Sequence, residues 1–524
     1  MDAYDTRPLA AGAEWGASDA LGLSGSLSAR ELLFVVGAQE LYGADILSAV
    51  DEHARQIAAE LDAAQSIPTR VNYRGVVVSA ETATTICNEA NASSHCVGVI
   101  IWAHTFSPAK SWIPLFGGLR QPLLHLHTQY NSAIPWADID MDYMNLNQSA
   151  HADRELAFMA TRMGVRRKTV VGHWRDGQVV ARIGAWARAA CGWHELQHLS
   201  IARFGDNMRG VAVTEGDKLE AQVRLGVAVN AYPVNELAEA IDSATDDEVG
   251  ALAGRYEELY RVAPELRRGG DRHGALLDAA RIELGLRSFL ATGGFGAFTD
   301  NFEDLGSLPH LPGIAVQRLM AEGYGFGAEG DWKTAALVRA VKVMSAGLPG
   351  GASFMEDYTY DMVHPTGLVL GAHMLEVCPS LADDCPTCEI HPLTIGGKPD
   401  PVRLVFDAAA GPAVNVTMID LGDRFRLVLN EVNVVGPEHP LPRLPVARAV
   451  WAPEPTLVEA AEMWMAAGGG HHTVLSTALD TATLIDFAEA LGVELVIIDA
   501  RSEPVQFMKE LRWNEAYHRL VSRT

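Results

Sequence analysis

The chain has 524 residues, 48% hydrophobic and 20% charged, so it is globular rather than disordered and long enough for roughly three domains. Its net charge of -25 excludes a phosphate backbone or an anionic membrane surface as partner and leaves neutral ligands open. Six cysteines make no disulfide framework, and no apolar run reaches the ~20 residues of a membrane span.

Residues 1–28 are rich in Ala, Gly and Ser, show no sustained period and read as a flexible extension outside the fold. They carry acidic residues where a signal peptide needs positive charge, so a cytoplasmic protein is expected. From Glu31 the pattern changes. LLFVVG (Leu32 to Gly37) is a buried-strand run, and a helix with Ile46, Val50, Ile57 and Leu61 on one face follows it. Further short apolar runs lie at Cys96 to Trp102, Pro122 to His127 and Thr169 to Trp174, and His151 to Met163 has helical spacing. Strands without internal alternation, interleaved with helices, predict a doubly wound parallel α/β architecture, with ligands at the carboxyl ends of the strands.

A second unit of the same kind begins near Ser200, with a strand expected at Val211 to Val213, a polar turn and a helix, then charged helical sequence from Asp246 to Leu290. After about Phe354, VRLVFD, AVNVTMID and RFRLVLNEVNVV carry β-branched residues and partial alternation around a GDR turn, predicting antiparallel strands. Thr483 to Asp499 supplies a final helix and strand. The expected division is an extension over 1–28, α/β domains over 29–199 and 200–352, and a β-rich, barrel-like domain over 353–524.

The candidate chemistry concentrates between Gly323 and Tyr360. Glu329 sits in GFGAEGDW, before a helix with Leu337, Val341 and Met344 on one stripe and Asp331 as N-cap; Glu356 sits in GGASFMEDYTY. Two carboxylates on glycine-bounded segments suit hard-metal coordination or paired acid/base work. Helix-dipole preference alone also explains an acid at a helix start, and a strand end explains Glu356. If Phe354 faces the core, Glu356 shares its face. His373 in GAHMLE and His472 in GGGHHT complete a Glu, Glu, His, His set, which suits Mn²⁺, Co²⁺ or Mg²⁺ better than structural zinc. Cys378, Cys385, Cys388 and His391 offer a second metal reading beside the plainer one of a loop with free thiols.

No P-loop, no GxGxxG after the first strand and no GxSxG elbow is present. Amides and aromatics at strand ends, among them Gln39, Tyr42, Trp102, His104, Gln129, Asn131, Asn145, Asn147 and Gln148, suit a polyhydroxylated ligand instead.

With these residues, the chain resembles the L-arabinose isomerase family from about Leu32 to Trp513. The resemblance rests on segments in order, including VVGAQELYG, WAHTFSPAKSWI, PLLHLHTQYN, DMDYMNLNQSAHADRE, RFGDNMRGVAVTEGDK, NFEDLG, GYGFGAEGDWKTAAL, SFMEDYTY, GAHMLEVCPS, IGGKPDPVRLVF and GGGHHT. It implies that Glu329, Glu356, His373 and His472 bind a divalent metal, usually Mn²⁺, and that Glu329 and Glu356 are the acid/base pair. It implies sugar contacts at Gln39, Leu41, Met208, Phe302 and Ile395, with His151 reaching a neighbouring subunit's site. The implied activity is L-arabinose to L-ribulose through an enediol, with D-galactose to D-tagatose as a side reaction, in a homohexamer or homotetramer. The chain departs from the family pattern at Ala152 and Asp153, where glycines are usual, in the CPTC segment and in the extension before residue 29. A related aldose as substrate, or a non-catalytic sugar-binding protein, are the alternative readings.

Overall fold

The computed structural model describes residues 21–393 and 397–521, which divide into two compact units. One comprises Ser24–His194 with Ala482–Gly492, and the other comprises Glu195–Thr481 with residues 21–23 and 493–521.

The first unit is built on strands β1 (Glu31–Gly37), β2 (Arg70–Val77), β3 (Cys96–Ala103), β4 (Leu123–His127) and β5 (Lys168–Val171). They form one parallel sheet in the order β2-β1-β3-β4-β5. Every residue of β3 and all but the first of β1 are buried, which is why their sequences are continuously apolar. The helix Ser149–Arg162 and the helix Gly177–Gln197 up to His194 belong to this unit. The expected strand to Trp174 is shorter, because Gly172 turns the chain out of the sheet at φ 140°. Of the expected extension, residues 1–20 lie outside the described residues. Residues Leu23–Ser28 form a short helix whose Leu23 and Leu27, four apart, are buried.

In the second unit, β6 (Ser200–Phe204), β7 (Ala228–Tyr232), β8 (Arg261–Val262), β9 (Ala297–Thr299) and β10 (Gly325–Phe326) come first. A parallel sheet of order β10-β9-β6-β7 results. The strand expected at Val211 to Val213 is not one: Ala212–Thr214 is a single 3-10 turn, and the strand lies upstream at Ser200–Phe204, where buried Arg203 interrupts the apolar run. The charged stretch forms two helices, Asp246–Leu259 and His273–Gly293.

The remaining strands are β11 (Ala352–Asp361), β12 (Leu368–Ala372), β13 (Thr387–Ile390), β14 (Val402–Val405), β15 (Gly411–Asp420), β16 (Phe425–Val435), β17 (Arg448–Pro453), β18 (His472–Ser476) and β19 (Glu494–Ile498). Six of them, in the order β15-β18-β11-β12-β17-β16 with β16 returning to β15, close an antiparallel barrel, and β19 extends it in parallel beside β16. The α/β architecture with a β-rich, barrel-like third part is therefore the observed fold. The helix Trp332–Ser345 is buried from Trp332 through Met344, its charged residues included: Arg339 is held by Glu195 and the Gly323 carbonyl, and Lys342 by Cys378 and Ser380. Its buried Lys333 is held by Asp331 and by the carbonyls of Val213 and Glu215. No helix among the described residues is long and apolar enough to cross a membrane.

Candidate active site

Barrel register brings three of the four expected residues together. Glu356 on β11 pairs across the sheet with His472 on β18 and, on its other side, with Ala372 at the end of β12, next to His373. Residues directly opposite on antiparallel strands point to the same face, so Glu356 and His472 converge. Phe354, two residues earlier and fully buried, shares that face as expected. Its ring stands edge-on to both imidazoles, with centroids 5.0 Å from His373 and 5.2 Å from His472.

Glu329 arrives from a different kind of element. It is the one non-glycine residue with positive φ among the described residues, at 62°, in the turn between β10 and the buried helix. Such a conformation costs about 1–3 kcal/mol and persists only where the surroundings enforce it. Here Met208 N donates to the Glu329 carbonyl at 3.0 Å and Gly330 N donates to the Asp300 carbonyl at 2.9 Å. Gly330 has φ 84°, and a Cβ there would lie 2.6 Å from the Cα of Asn207. The turn thus aims the Glu329 carboxylate at His472, with Oε2 3.7 Å from Nε2. Glu356 lies 3.9 Å from His373 Nε2 and 3.6 Å from His471 Nε2.

Both imidazoles are oriented by carboxylates outside the expected set. Asp331, besides capping the helix, accepts from His472 Nδ1 at 3.1 Å, and Glu376 accepts from His373 Nδ1. With Nδ1 donating, the neutral form of each ring turns its Nε2 lone pair toward the glutamates, and at His373 a bound cation would take the place of the Nε2 proton. His472 Nε2 is buried and has no hydrogen-bond partner, which is the condition of a nitrogen built to ligate. Glu329, His471 and His472 have ligating atoms all within 4.8 Å of one another, the one such grouping among the described residues. Two carboxylates and two or three imidazoles of this kind fit a divalent cation of the Mn²⁺, Co²⁺, Mg²⁺ group.

The electrostatics are those of a buried acidic centre. Burial pushes the Glu356 carboxyl up, against the lowering pull of His373 and His472. Burial opposes a charged His373, but Glu376, Glu356 and Glu329 outweigh it and raise this imidazole to about 9. Burial and neighbouring Glu376 push Asp300 up to about 7. Burial and His472 lower His471 to about 4. Asp331 goes the other way: burial opposes its charge, yet Lys333 and His472 hold it well below the usual carboxylate range.

Phe302, Glu329, Glu356 and His373 line one cavity of about 180 Å³ together with Asp300 and Glu376. Met208 touches this centre through its backbone. Gln39, Leu41 and His151 belong to the first unit: Gln39 precedes a 3-10 turn, Leu41 is 83% exposed on it, and the ring of exposed His151 lies tilted against Phe106. Asp153 is buried and receives Ala103 N, His125 and His127, fastening its helix to the ends of β3 and β4. Ile395 lies outside the described residues. The cysteine set does not assemble: Cys378 meets Lys342 and Ser380, Cys385 faces the Leu259 carbonyl, Cys388 is buried in the core and His391 pairs with Glu389. Reading the sequence left out Asp331 as a histidine partner, and also Glu376 and Asp300, whereas the adjacent histidines of GGGHHT offer one imidazole to the site and a second, His471, beside it. HxxE spacing at His373 and Glu376 was the available signal for one of them.

Three family models match in succession: the L-arabinose isomerase N-terminal domain over residues 26–198, the central domain over 200–347 and the C-terminal domain over 351–494. An L-arabinose isomerase of a Nocardioides species is 59% identical over 491 residues, covering 94% of this chain and 98% of that one. Relatives of the same name from Koribacter versatilis and Geobacillus stearothermophilus are 58% and 54% identical, each over 94% of this chain and over 98% and 99% of their own. The chain belongs to the L-arabinose isomerase family.

Proposed function

We propose that this protein converts L-arabinose to L-ribulose in a metal-dependent reaction, with D-galactose to D-tagatose as a side activity. Family membership supports the sugar chemistry. The observation that carries the metal-dependent mechanism is the orphaned Nε2 of buried His472, held by Asp331 and facing Glu329. Glu329, Glu356, His373 and His472 would hold the cation. When bound, a divalent ion, Mn²⁺ first and Co²⁺ or Mg²⁺ as alternatives, supplies polarisation of the sugar carbonyl and neutralises developing enediolate charge.

Aldose and ketose differ by a proton between C1 and C2 and another between O1 and O2. One glutamate takes the C2 proton as a carboxylate while the other, as a carboxylic acid, gives a proton to O1. The enediol then receives a proton at C1 and loses one from O2, restoring both side chains. Two carboxyls can alternate in this way when their environments differ. Burial raises the proton affinity of Glu356 above that of an ordinary carboxylate. Phe354 excludes water beside both imidazoles, and Phe302 closes a wall of the cavity. Gln39, Leu41, Met208 and Ile395 are proposed as further sugar contacts, and His151 as a contribution to a neighbouring subunit's site in a cytoplasmic homohexamer or homotetramer.

The decisive experiment measures ketose formation from a panel of aldoses after EDTA treatment and after Mn²⁺ is restored, with the restored reaction repeated in D₂O. Fastest turnover on L-arabinose, lost with EDTA, regained with Mn²⁺ and accompanied by deuterium at the transferred carbon, is expected. Sugar binding without metal-dependent turnover would overturn the proposal in favour of a binding protein.

A further inference from the structure

A cavity of about 670 Å³ in the first unit opens where β4 and β5 begin. It has no part in the chemistry above. Arg120, Arg166, Arg167 and Lys168 line it, four cations against the two acids Asp486 and Glu489, in a chain whose net charge is -25. Lys168 is neutralised by buried Asp486 at 2.6 Å, a pair that fastens the helix Thr481–Leu491 beside β5 and forms part of the wall. Arg167 donates to the Ala157 and Val165 carbonyls and to Thr161 Oγ1, so its geometry is fixed without a carboxylate.

Arg120 and Arg166 are different. Among the described residues neither guanidinium has a hydrogen-bonded or ion-paired partner. Arg166 nevertheless has a prepared seat: Gly492, at φ 69°, leaves room for it, since a Cβ there would lie 1.7 Å from Nη1. Leu119, Met163, Val165 and Ile485, all at least partly exposed, supply the apolar part of the wall. Its volume falls within the few-hundred to 1,000 Å³ range of small-molecule sites, and its lining is more polar than apolar, which suits a charged ligand. Two unpaired guanidinium forks match the charge and the oxygens of a phosphate dianion.

We propose that this cavity binds the phosphate group of a small ligand through Arg120 and Arg166, with any organic body lying against Met163, Val165 and Ile485. Free phosphate and a phosphomonoester share this chemistry, and titration separates them. Calorimetry of the full chain with inorganic phosphate and with ribose 5-phosphate, using ribose as background, is the test. Saturable binding is expected, weakened by salt, at least about tenfold weaker in the Arg120→Gln/Arg166→Gln variant and tighter in Glu489→Gln. Tighter binding of ribose 5-phosphate identifies a phosphomonoester site; equal or tighter binding of inorganic phosphate identifies free phosphate. Both arginines are exposed, so the variant keeps the fold, as its circular dichroism will show. Failure of both phosphates to saturate at millimolar concentration, or unchanged affinity in the double variant, overturns the proposal.

Discussion

At the scale of single residues, the candidate site depends on which proton each imidazole carries. His472 is set by Asp331, which itself is held by Lys333 and Thr334 as well as by two backbone N–H groups. Replacing Asp331 by Asn keeps the cap hydrogen bonds but removes the charge that fixes the Nδ1–H tautomer. Loss of such an outer partner costs about 10–100-fold in metal affinity. Mn²⁺ titration of Asp331→Asn, followed by electron paramagnetic resonance, should read that loss; parental affinity would mean Asp331 only caps the helix. The glutamates differ in kind. Glu329→Gln and Glu356→Gln leave the volume of each side chain but remove a proton carrier, so kcat should fall by about 10²–10⁴ in each. Near-parental kcat in either variant would remove that residue from the acid/base pair.

Elements explain what could be read in advance and what could not. Strands β1, β3 and β4 were legible because a sheet covered on both faces demands unbroken apolar runs. Strand β6 was hidden by Arg203, buried only because Asn207 and Asp206 receive its guanidinium. Strands β9 and β10 have three and two residues and leave no periodic trace. Glycines flagged both glutamates, yet nothing local could show that Glu356 would face His472, since that follows from barrel register between distant strands. Buried groups at strand ends also carry a pH signature invisible in sequence. At the end of β3, His104 is wholly buried, stacks on Trp102 and shares a hydrogen bond with His53 at 2.8 Å. Burial, helped by His53, depresses its pKa to about 3. The folded imidazole is therefore neutral where the unfolded one, near 6.5, takes up a proton. Stability is full above the unfolded pKa and falls as pH drops from about 6.5 toward 3, by up to about 1.4 kcal/mol per pH unit. The midpoint of thermal unfolding between pH 7 and 5 should fall less steeply in His104→Asn than in the parent; parallel slopes would assign the acid sensitivity elsewhere.

For the whole molecule, the division into two units makes metal dependence separable from general stability. Glu329, Glu356, His373 and His472 all belong to the unit formed by Glu195–Thr481 and its C-terminal segment, so an ion bound there favours the folded state of that unit alone. A ligand present at 100 times its dissociation constant adds about 2.7 kcal/mol to the state that binds it. For a unit of this size, roughly 1–2 °C of midpoint accompanies each kcal/mol, so saturating Mn²⁺ should raise one unfolding transition by about 3–5 °C. EDTA should reverse the rise. Differential scanning calorimetry that resolves the transitions should find the other unit, with His104 and the arginine-lined cavity, unmoved by either treatment. Hydrogen exchange can assign the transitions, because protection gained with Mn²⁺ should concentrate on β11, β12, β18 and the helix Trp332–Ser345. Equal protection of β1, β3 and β4 would contradict a metal centre confined to the barrel and the Glu329 turn.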